Sequence, residues 1–328
     1  MNFAALLNMI ATLFLMLIVG FFAGKLGIVS PTASKNLSRL IITIGQPALI
    51  IYSVVRMDYS TENLILGLEV LVFGILLHVV LALISYVAYF RFHQLDERKI
   101  TEFATIFGNV GFIGIPILES LFGAKGAFMG AFFVVSFNLV LWTWGISILA
   151  RKRDDIKLTP KKILLNYGTV PSAIGFVLFV AKGLLPPLMS ESVLSVSTAI
   201  CAPILMCLSY MASLCTPVSM LIIGALLAGR SLKQILGSGK IYYLCFVKLL
   251  LIPAIVIVLM RLFGFDAEWI LFAATVTSMP CATTVTMLAE LHDIAPGYSA
   301  QAVGTTSLLS IATMPCVIWF AQWLMQVM

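Results

Sequence analysis

The stretch Gly108-Asn109-Val110-Gly111-Phe112-Ile113-Gly114-Ile115-Pro116 places three glycines and a proline around an asparagine inside an apolar segment. Proline removes a backbone donor and clashes with the preceding turn, and glycine lets the backbone open. A helix with this sequence should break here. Because unwound backbone at membrane depth is tolerated only where it is buried in protein or lines a cavity, the stretch predicts a broken membrane helix with a site at the break.

The composition of the whole chain indicates that lipid is its solvent. Of the 328 residues, 61% are hydrophobic and only 10% are charged, which is more apolar surface than a soluble core could hide. A membrane helix needs about 20 apolar residues, so the chain has room for roughly ten spans. We therefore predict an all-α integral membrane protein that lies in the lipid bilayer and has no separate soluble domain.

Apolar run length and the charges between runs predict where the spans lie. The ten predicted spans are residues 3–24, 37–55, 64–90, 101–121, 124–149, 164–185, 205–229, 241–263, 269–289 and 300–325. The first run is too long for a signal-peptide core and lacks a basic start, so we interpret it as an uncleaved helix. Residues 186–206 are apolar but contain Glu191. They could form a loop, an interfacial helix or an extension of span seven.

The basic residues predict the orientation of the spans. Loops after odd-numbered spans contain 15 of the 20 lysines and arginines, and loops after even-numbered spans contain 4. Since cytoplasmic loops are enriched in basic residues, both termini are predicted to be non-cytoplasmic. The basic residues form no single patch interleaved with aromatic residues, so the net charge of +6 does not indicate a nucleic-acid partner.

Proline-centred motifs indicate an internal repeat. Gly45-Gln46-Pro47 in span two is similar to Cys215-Thr216-Pro217 in span seven. Pro116 in span four and Pro280 in span nine are separated in the chain by nearly the same interval as Pro47 and Pro217. These spacings predict two five-helix repeats, 1–150 and 164–328, joined by a charged cytoplasmic linker, 151–163. Because five is an odd number, the second repeat should have the inverted orientation, an arrangement common in transporters.

Span nine contains a second candidate break, with Thr277 and Ser278 just before Pro280. Inverted repeats would bring the broken helices four and nine together near the midplane of the membrane, where they would cross. The N-termini of the half-helices would then suit an anion such as a carboxylate. The alternative is a pair of proline-kinked helices packed through small residues. The predicted substrate-binding residues are Gly108, Asn109, Gly111, Gly114, Pro116, Asn138, Thr277, Ser278, Pro280, Cys281, Gln301 and Thr306.

Three ionisable residues within spans are candidates for proton coupling, because a charge inside a membrane is costly. His78 follows Pro47 at the same interval as Lys248 follows Pro217, so the two occupy equivalent repeat positions, and Glu69 lies in span three. Two alternatives stay open. Lys248 could extend its ammonium group to the cytoplasmic interface, and His78 could be a hydrogen-bonded packing residue.

The sequence gives no indication of an enzyme, a metal site or a cofactor. Its six cysteines have no CxxC spacing and lie in apolar stretches, where we expect buried free thiols. Only three histidines exist and no aspartate lies in the middle of a span, although intramembrane hydrolysis needs a nucleophile with a base, a metal or an aspartate pair. A transporter is the favoured interpretation, and a channel or a ligand sensor on a transporter scaffold remains the alternative.

Three stretches carry a resemblance to a known family: the motif from Gly108 to Pro116, the later Met279-Pro280, and Thr306-Ser307-Leu308-Leu309-Ser310-Ile311-Ala312-Thr313-Met314-Pro315. The chain resembles the auxin efflux carrier family along its whole length. The resemblance implies that Pro116 and Pro280 mark the crossover of two broken helices and that Asn109 contacts substrate. It also implies that spans one, two, six and seven form a scaffold, through which two copies would pair as a homodimer, and that the other spans carry substrate.

The chain departs from the plant members of that family, the PIN-FORMED transporters, in two ways. Its linker is short, and its second break has Thr277 and Ser278 where an asparagine could have matched Asn109. The resemblance to bacterial relatives therefore implies a small organic anion such as malate or malonate as substrate. It also implies the cytoplasmic (inner) membrane of a bacterium as location. The sequence leaves open whether protons, sodium or neither drives transport.

Overall fold

A computed structural model describes residues 3–153, 165–184, 191–229 and 239–327. Within these residues the protein is helical, and its β-structure is limited to one isolated antiparallel bridge between Gly108 and Cys281. Residues 154–164, most of the predicted linker, and residues 185–190, the start of the ambiguous segment, lie outside the described residues.

The first half of the chain forms eight helices, three of which follow a π-helical turn. The helices are α1 (Phe3–Lys25), α2 (Pro31–Leu40), α3 (Gln46–Val55), α4 (Thr61–Tyr89), α5 (Leu95–Ile106), α6 (Ile115–Phe122), α7 (Ala124–Val140) and α8 (Ile146–Ala150). The π-helical turns are Ile41–Gly45, Val110–Gly114 and Leu141–Gly145. Each turn runs directly into the next helix. Helix α2 therefore continues into α3, and α7 into α8, as two long apolar helical segments.

The described part of the second half also forms eight helices. They are α9 (Thr169–Leu184), α10 (Glu191–Ser213), α11 (Cys215–Ala228), α12 (Gly239–Phe246), α13 (Ile252–Leu262), α14 (Ala267–Thr277), α15 (Thr284–Leu291) and α16 (Pro296–Val327). A π-helical turn, Val247–Leu251, joins α12 to α13.

Six of the described helical segments are long and apolar enough to cross a membrane, and four more are shorter apolar helices. The shorter set includes Val110–Phe122 and Ala267–Thr277, because spans four and nine are interrupted. The ambiguous segment 186–206 is helical from Glu191 onward, and α10 is separated from α11 only by Leu214. Of the three alternatives, the structure therefore favours an extension of span seven for its described part.

Glycines let α1 and α11 pack with their backbones in contact. A methyl group on Gly20 would overlap the carbonyl oxygen of Leu221, and one on Gly224 would overlap that of Leu17. Gly24 lies equally close to Ala225. Small residues at such spacing are typical of tightly associated membrane helices, since close backbone approach replaces the hydrophobic driving force that lipid removes.

Much of the outer surface of the helices is apolar. On α4 the side chains of Ile65, Leu76 and Leu83 are each exposed over half or more of their full area. A water-soluble protein rarely exposes so contiguous an apolar surface. Lipid is the solvent that such a surface requires, and the protein is a multi-pass membrane protein.

Ion pairs connect the helices near their ends. Arg98 and Arg151 both contact the buried carboxylate of Glu102, at 2.7 and 2.6 Å. Arg56 pairs with Glu119 at 2.7 Å. The first cluster attaches the end of α8, where the charged linker begins, to α5.

Candidate functional site

The first interruption lies between α5 and the π-helical turn at Val110–Gly114. The backbone is extended at Phe107 (φ −99°, ψ 104°) and leaves helical geometry at Asn109 (φ −80°, ψ 56°). The carbonyl group of Asn109 accepts hydrogen bonds from the N–H groups of Ile113 and Gly114, both at 3.1 Å. Asn109 is therefore the N-cap residue of a new half-helix, Val110–Phe122.

The second interruption lies between α14 and α15, from Ser278 to Thr283. The two interruptions meet backbone to backbone: the Asn109 N–H donates to the Pro280 carbonyl at 2.8 Å, and the Ala282 N–H donates to the Phe107 carbonyl at 2.9 Å. These two bonds flank the bridge between Gly108 and Cys281. The predicted meeting of the two breaks is confirmed, and we refer to these paired segments, 107–109 and 280–282, as the crossover.

The two prolines occupy different positions relative to the crossover. Pro280 lies in it, but Pro116 is the second residue of α6, seven residues after Asn109. The expectation that both prolines mark the crossover is therefore wrong for Pro116. A proline is tolerated in the first turn of a helix, and in this chain the preceding π-helical turn runs into it without a break.

Glycine permits the close approach of other groups to the first interruption. A methyl group on Gly108 would lie 3.4 Å from the Met279 Cβ and 3.5 Å from the Lys248 Nζ. One on Gly114 would lie 2.8 Å from the Met279 sulfur. Gly114 is therefore the glycine that permits the close approach of Met279, whereas Gly108 leaves room for a small side chain.

Helix α16 holds the second interruption in place through Thr306. Its hydroxyl group accepts a hydrogen bond from the Cys281 N–H at 3.2 Å and donates to the Ala302 carbonyl at 2.8 Å. The neighbouring Ser310 hydroxyl donates to the Ser307 carbonyl at 2.8 Å. The hydroxyl-rich stretch of the sequence therefore includes a direct support for the crossover.

Some buried polar side-chain atoms near the interruptions have no partner. The amide nitrogen of Asn109, whose side chain is 3% exposed, has no hydrogen-bond partner among the described residues. The same holds for the hydroxyl groups of Thr284 and Thr286 at the start of α15, and of Ser307 on α16. Buried polar groups are normally satisfied, so the unpaired Asn109 amide at the crossover is a candidate for binding a polar ligand.

Lys248 brings a positive charge to the crossover. It lies in the π-helical turn between α12 and α13, is 1% exposed, and donates from Nζ to the Thr105 carbonyl at 2.7 Å. Thr105 belongs to the last turn of α5, where carbonyl groups lack helical partners and the helix dipole is negative. Lys248 therefore does not extend to the membrane interface.

His78 and Glu69, the other two coupling candidates, lie in different surroundings. The Nδ1 atom of His78 donates to the Gly74 carbonyl at 2.6 Å, and the ring lies 5.8 Å from the Phe107 ring at the crossover and 5.2 Å from that of Phe133. Glu69 is exposed on the outer surface of α4. The aromatic surroundings of His78 favour the packing role that the sequence left open.

Among the remaining predicted residues, several bond within their own helix. Asn138 donates its amide to the Val134 carbonyl at 2.8 Å and lies against Gly168. Thr277 donates to the Ala273 carbonyl at 2.6 Å. Ser278 likewise donates to its own helix at 3.1 Å.

The last two predicted residues lie on the helices that border the crossover. Gln301 is half-buried on α16, and Gly111 lies in the first turn of the half-helix that begins at Asn109. The predicted set thus divides into residues that form or border the crossover and residues that stabilise the helices leading to it.

Gln46 was missed by the sequence reasoning. Its amide nitrogen lies 3.3 Å from the position that a methyl group on Gly111 would take. It therefore reaches the first turn of the half-helix from α3. The signal was present in Gly45-Gln46-Pro47, but the motif served only to align the repeats.

The described residues contain no group of three or more His, Cys, Asp or Glu side chains that could hold a metal ion. The cysteines are free; Cys215, Cys245 and Cys281 are buried, and the other three are exposed. The expectation of buried thiols is therefore right for half of them. The exposed three lie on helix surfaces where an apolar thiol can face lipid.

A multi-helix membrane protein in which two interrupted helices meet around unpaired polar groups has the features of a transporter. Comparison with known proteins agrees. The profile of a family described as "Membrane transport protein" matches residues 5–318. The chain belongs to this family, which confirms the resemblance to the auxin efflux carriers, and it is a transporter and not an enzyme.

Three relatives support this assignment. A Rhizobium meliloti (strain 1021) protein named "Putative malonate transporter" is 26% identical over 238 residues, which cover 72% of this chain and 71% of that protein. Uncharacterized transporters of Methanothermobacter thermautotrophicus and Methanocaldococcus jannaschii are 21% and 23% identical, each over 93% of this chain and 95% of the relative.

Proposed function

We propose that this protein is a secondary transporter of small organic anions, carboxylates such as malate or malonate, and that it works by alternating access. The observation that carries the proposal is the buried, unpaired amide nitrogen of Asn109 at the N-cap of a half-helix that begins at the crossover. The relative named for malonate supports a carboxylate as the substrate.

The chemistry of this position suits a carboxylate. The first N–H groups of a helix have no intrahelical partners, and the helix dipole is positive at that end. Asn109 can add a side-chain donor to these N–H groups, and Gln46 can add a second from α3. The hydroxyl group of Thr284, the first residue of the other half-helix, can add a further donor. Because these donors are neutral, they bind an anion less tightly than a direct ion pair would, and so they can release it.

We further propose that the crossover is the centre of two inverted five-helix repeats, 1–150 and 164–328, with 151–163 as the cytoplasmic linker. The two crossover hydrogen bonds are symmetric. In each, the residue after the central residue of one segment donates to the residue before the central residue of the other, and the central residues are Gly108 and Cys281. The interval between these two residues in the chain is close to the interval between His78 and Lys248. The corresponding location is a bacterial inner membrane, with both termini non-cytoplasmic.

The close packing of α1 against α11 supports a rigid scaffold made of spans one, two, six and seven. We propose that the crossover helices move against this scaffold and that two scaffolds pair in a homodimer. Helix α10 offers a surface for such pairing, because Met206 and Tyr210, four residues apart on one face, are each more than half exposed.

Of the three coupling candidates, we propose Lys248 as the residue that couples transport to protons. Only Lys248 places an ionisable group against Gly108 and on the last turn of α5, so a change in its charge would act directly on the crossover. His78 is surrounded by aromatic rings and Glu69 is exposed. Sodium is the competing coupling ion, and the test below includes it.

A thermal-shift screen of the purified full-length protein tests the proposed site. Acetate, malonate, malate, octanoate and sodium chloride would be added to wild type, Asn109→Ala and Asn63→Ala. Asn63 is a matched control, because its amide donates to the Asp58 carbonyl at the start of α4, far from the crossover. It lies about 22 Å along α4 from His78, the residue of that helix whose ring lies beside Phe107 of the crossover.

A ligand that binds the folded state raises the melting temperature by mass action. We expect at least one carboxylate to stabilise wild type and Asn63→Ala but not Asn109→Ala. If all three proteins respond alike, the anion site is not at the crossover. If no carboxylate stabilises wild type, the proposed substrate class is refuted.

A further inference from the structure

The ion pair between Arg56 and Glu119 connects two helices that the proposed mechanism assigns to different groups. Arg56 directly follows α3, which belongs to span two and therefore to the scaffold. Glu119 lies in α6, which belongs to span four and therefore to the moving helices. The Arg56 guanidinium nitrogen lies 2.7 Å from a Glu119 carboxylate oxygen. The pair thus crosses the boundary along which the two groups would move.

Close helix packing attaches each partner to its own group. A methyl group on Gly175 of α9 would lie 3.4 Å from the Ile51 Cα of α3, so α3 packs closely on another scaffold helix. A methyl group on Gly126 of α7 would overlap the Leu118 carbonyl of α6, so α6 packs closely on another moving helix. Such close approach is typical of membrane helices that stay associated. A movement of the crossover helices against the scaffold would therefore separate the ion pair.

The location of Glu119 makes its carboxylate dependent on Arg56. Glu119 lies in the last turn of α6, which ends at Phe122, and a negative charge is unfavourable there because the helix dipole is also negative. Arg56 follows the C-terminal end of α3, where a positive charge is favourable, and its guanidinium group lies 5.7 Å from the centre of the Tyr52 ring. The arginine is thus stabilised by its own helix, and its charge offsets the unfavourable location of the glutamate.

The strength of this ion pair suits a contact that opens and closes. The side chains of Arg56 and Glu119 are 23% and 46% exposed, and ion pairs with such access to solvent are weak. A displacement by one helical turn, about 5.4 Å, would take the two charged groups out of ion-pair range. Such a pair can stabilise one conformation without preventing the protein from leaving it.

We infer that the Arg56–Glu119 pair is a latch between the scaffold and the moving helices, which is closed in this conformation and opens in every transport cycle. This inference rests on the proposed function, because it takes alternating access as given and names the contact that holds one of the two end states. In the orientation that the basic residues predict, the latch lies at the non-cytoplasmic ends of spans two and four.

A second ion pair provides a matched control. Lys125 at the start of α7 pairs with Glu268 at the start of α14, and both of these helices belong to the moving group. The two side chains are 43% and 38% exposed, and the same predicted orientation places them at the non-cytoplasmic side. This pair should stay closed throughout the transport cycle.

Reversible cross-linking in proteoliposomes tests whether the latch opens. The readout is counterflow, the uptake of labelled malonate by vesicles preloaded with unlabelled malonate. A short bifunctional thiosulfonate would join the cysteines of Arg56→Cys/Glu119→Cys, and we expect this to stop counterflow until a reductant cleaves the link. Lys125→Cys/Glu268→Cys, joined in the same way, should continue to transport. Treated wild type controls for reaction at the exposed native cysteines.

Charge variants test whether the ion pair itself holds the latch closed, and they need no cysteine. An exposed ion pair slows its own opening by about 1.5-fold to fivefold, so Glu119→Gln should speed counterflow by that factor. Exchanging the charges in Arg56→Glu/Glu119→Arg should return counterflow to the wild-type rate. Glu268→Gln should leave the rate unchanged.

The results that would overturn the latch differ from those that would overturn the proposed function. Counterflow that continues after mass spectrometry shows the Arg56→Cys/Glu119→Cys link to be complete refutes the latch and leaves the transporter intact. A wild-type rate in Glu119→Gln refutes it as well. The absence of malonate counterflow by untreated wild type refutes the proposed function for this substrate, and the latch with it.

Discussion

Replacing Thr306 by valine should destabilise the crossover, because it removes the hydroxyl group that accepts a hydrogen bond from the Cys281 N–H, together with that hydroxyl's bond to the Ala302 carbonyl of its own helix. Valine has nearly the volume of threonine and the same branched Cβ, so packing and helix preference are conserved. The Cys281 N–H, which donates to the Thr306 hydroxyl at 3.2 Å, would lose its partner in a region where Cys281 is fully buried.

The expected cost follows from that unpaired donor. A buried N–H left without a partner costs about 1–3 kcal/mol, and for a protein of this size that corresponds to a melting temperature lower by about 1–4 °C. Thr275→Val is the matched control, since Thr275 is also fully buried on a helix that leads to the crossover, and its hydroxyl bonds only the Leu271 carbonyl of its own helix.

Thermal unfolding of the three purified proteins, followed by intrinsic fluorescence in one detergent, measures the difference. We expect Thr306→Val to melt clearly below both wild type and Thr275→Val. Equal melting temperatures for the two valine variants would show that α16 does not support the second interruption, and the reasoning from the Thr306 bond would be refuted.

Three further predictions follow from the same geometry. Gly126→Ala should lower the free energy of unfolding by about 1–3 kcal/mol, because the new methyl group would overlap a backbone carbonyl of α6. Gly108→Ala should be tolerated, since its methyl group would lie 3.4 Å from the nearest neighbouring atom. Chemical denaturation compares the two variants, and equal losses of stability would contradict the prediction. Glu102→Gln should lower the free energy of unfolding by about 2 kcal/mol. This is less than the loss expected on breaking a fully buried ion pair, because the two arginine partners of Glu102 are partly exposed. Unfolding in denaturant measures the change, and an unchanged midpoint would count against the prediction. Lys248→Met should abolish the response of proteoliposome uptake to an imposed pH gradient, while His78→Phe should retain it, and the reverse result would assign coupling to the histidine.

The sequence predicted the broken helices well, because glycine, proline and hydroxyl residues inside apolar runs have few explanations in a membrane. It located the second break correctly at Pro280. The stretch from Gly108 to Pro116 predicted the first break, but the family resemblance placed the crossover too late in it, at Pro116. The backbone opens around Gly108, two helical turns before Pro116, where it pairs with the second interruption.

The surroundings of individual side chains could not be predicted from spacing alone. His78 and Lys248 follow the repeat prolines at the same interval, which predicted equivalent positions in the two repeats. In the structure, however, Lys248 donates a hydrogen bond to a helix end at the crossover, whereas His78 lies among aromatic rings. Gln46 escaped notice because its contact with Gly111 joins two helices that are distant from each other in the chain. Such contacts depend on helix packing, which a local pattern does not encode.

Counterflow uptake in proteoliposomes tests the central claim most directly, namely that the crossover binds and carries a carboxylate. Vesicles preloaded with unlabelled malonate or malate would take up the labelled compound through wild-type protein, and Asn109→Asp would be compared with Asn63→Ala and with empty vesicles. Because aspartate matches asparagine in shape but replaces a donor by a negative charge, we predict normal uptake by wild type and Asn63→Ala and none above empty vesicles by Asn109→Asp. Uptake by Asn109→Asp at the wild-type rate would contradict the account.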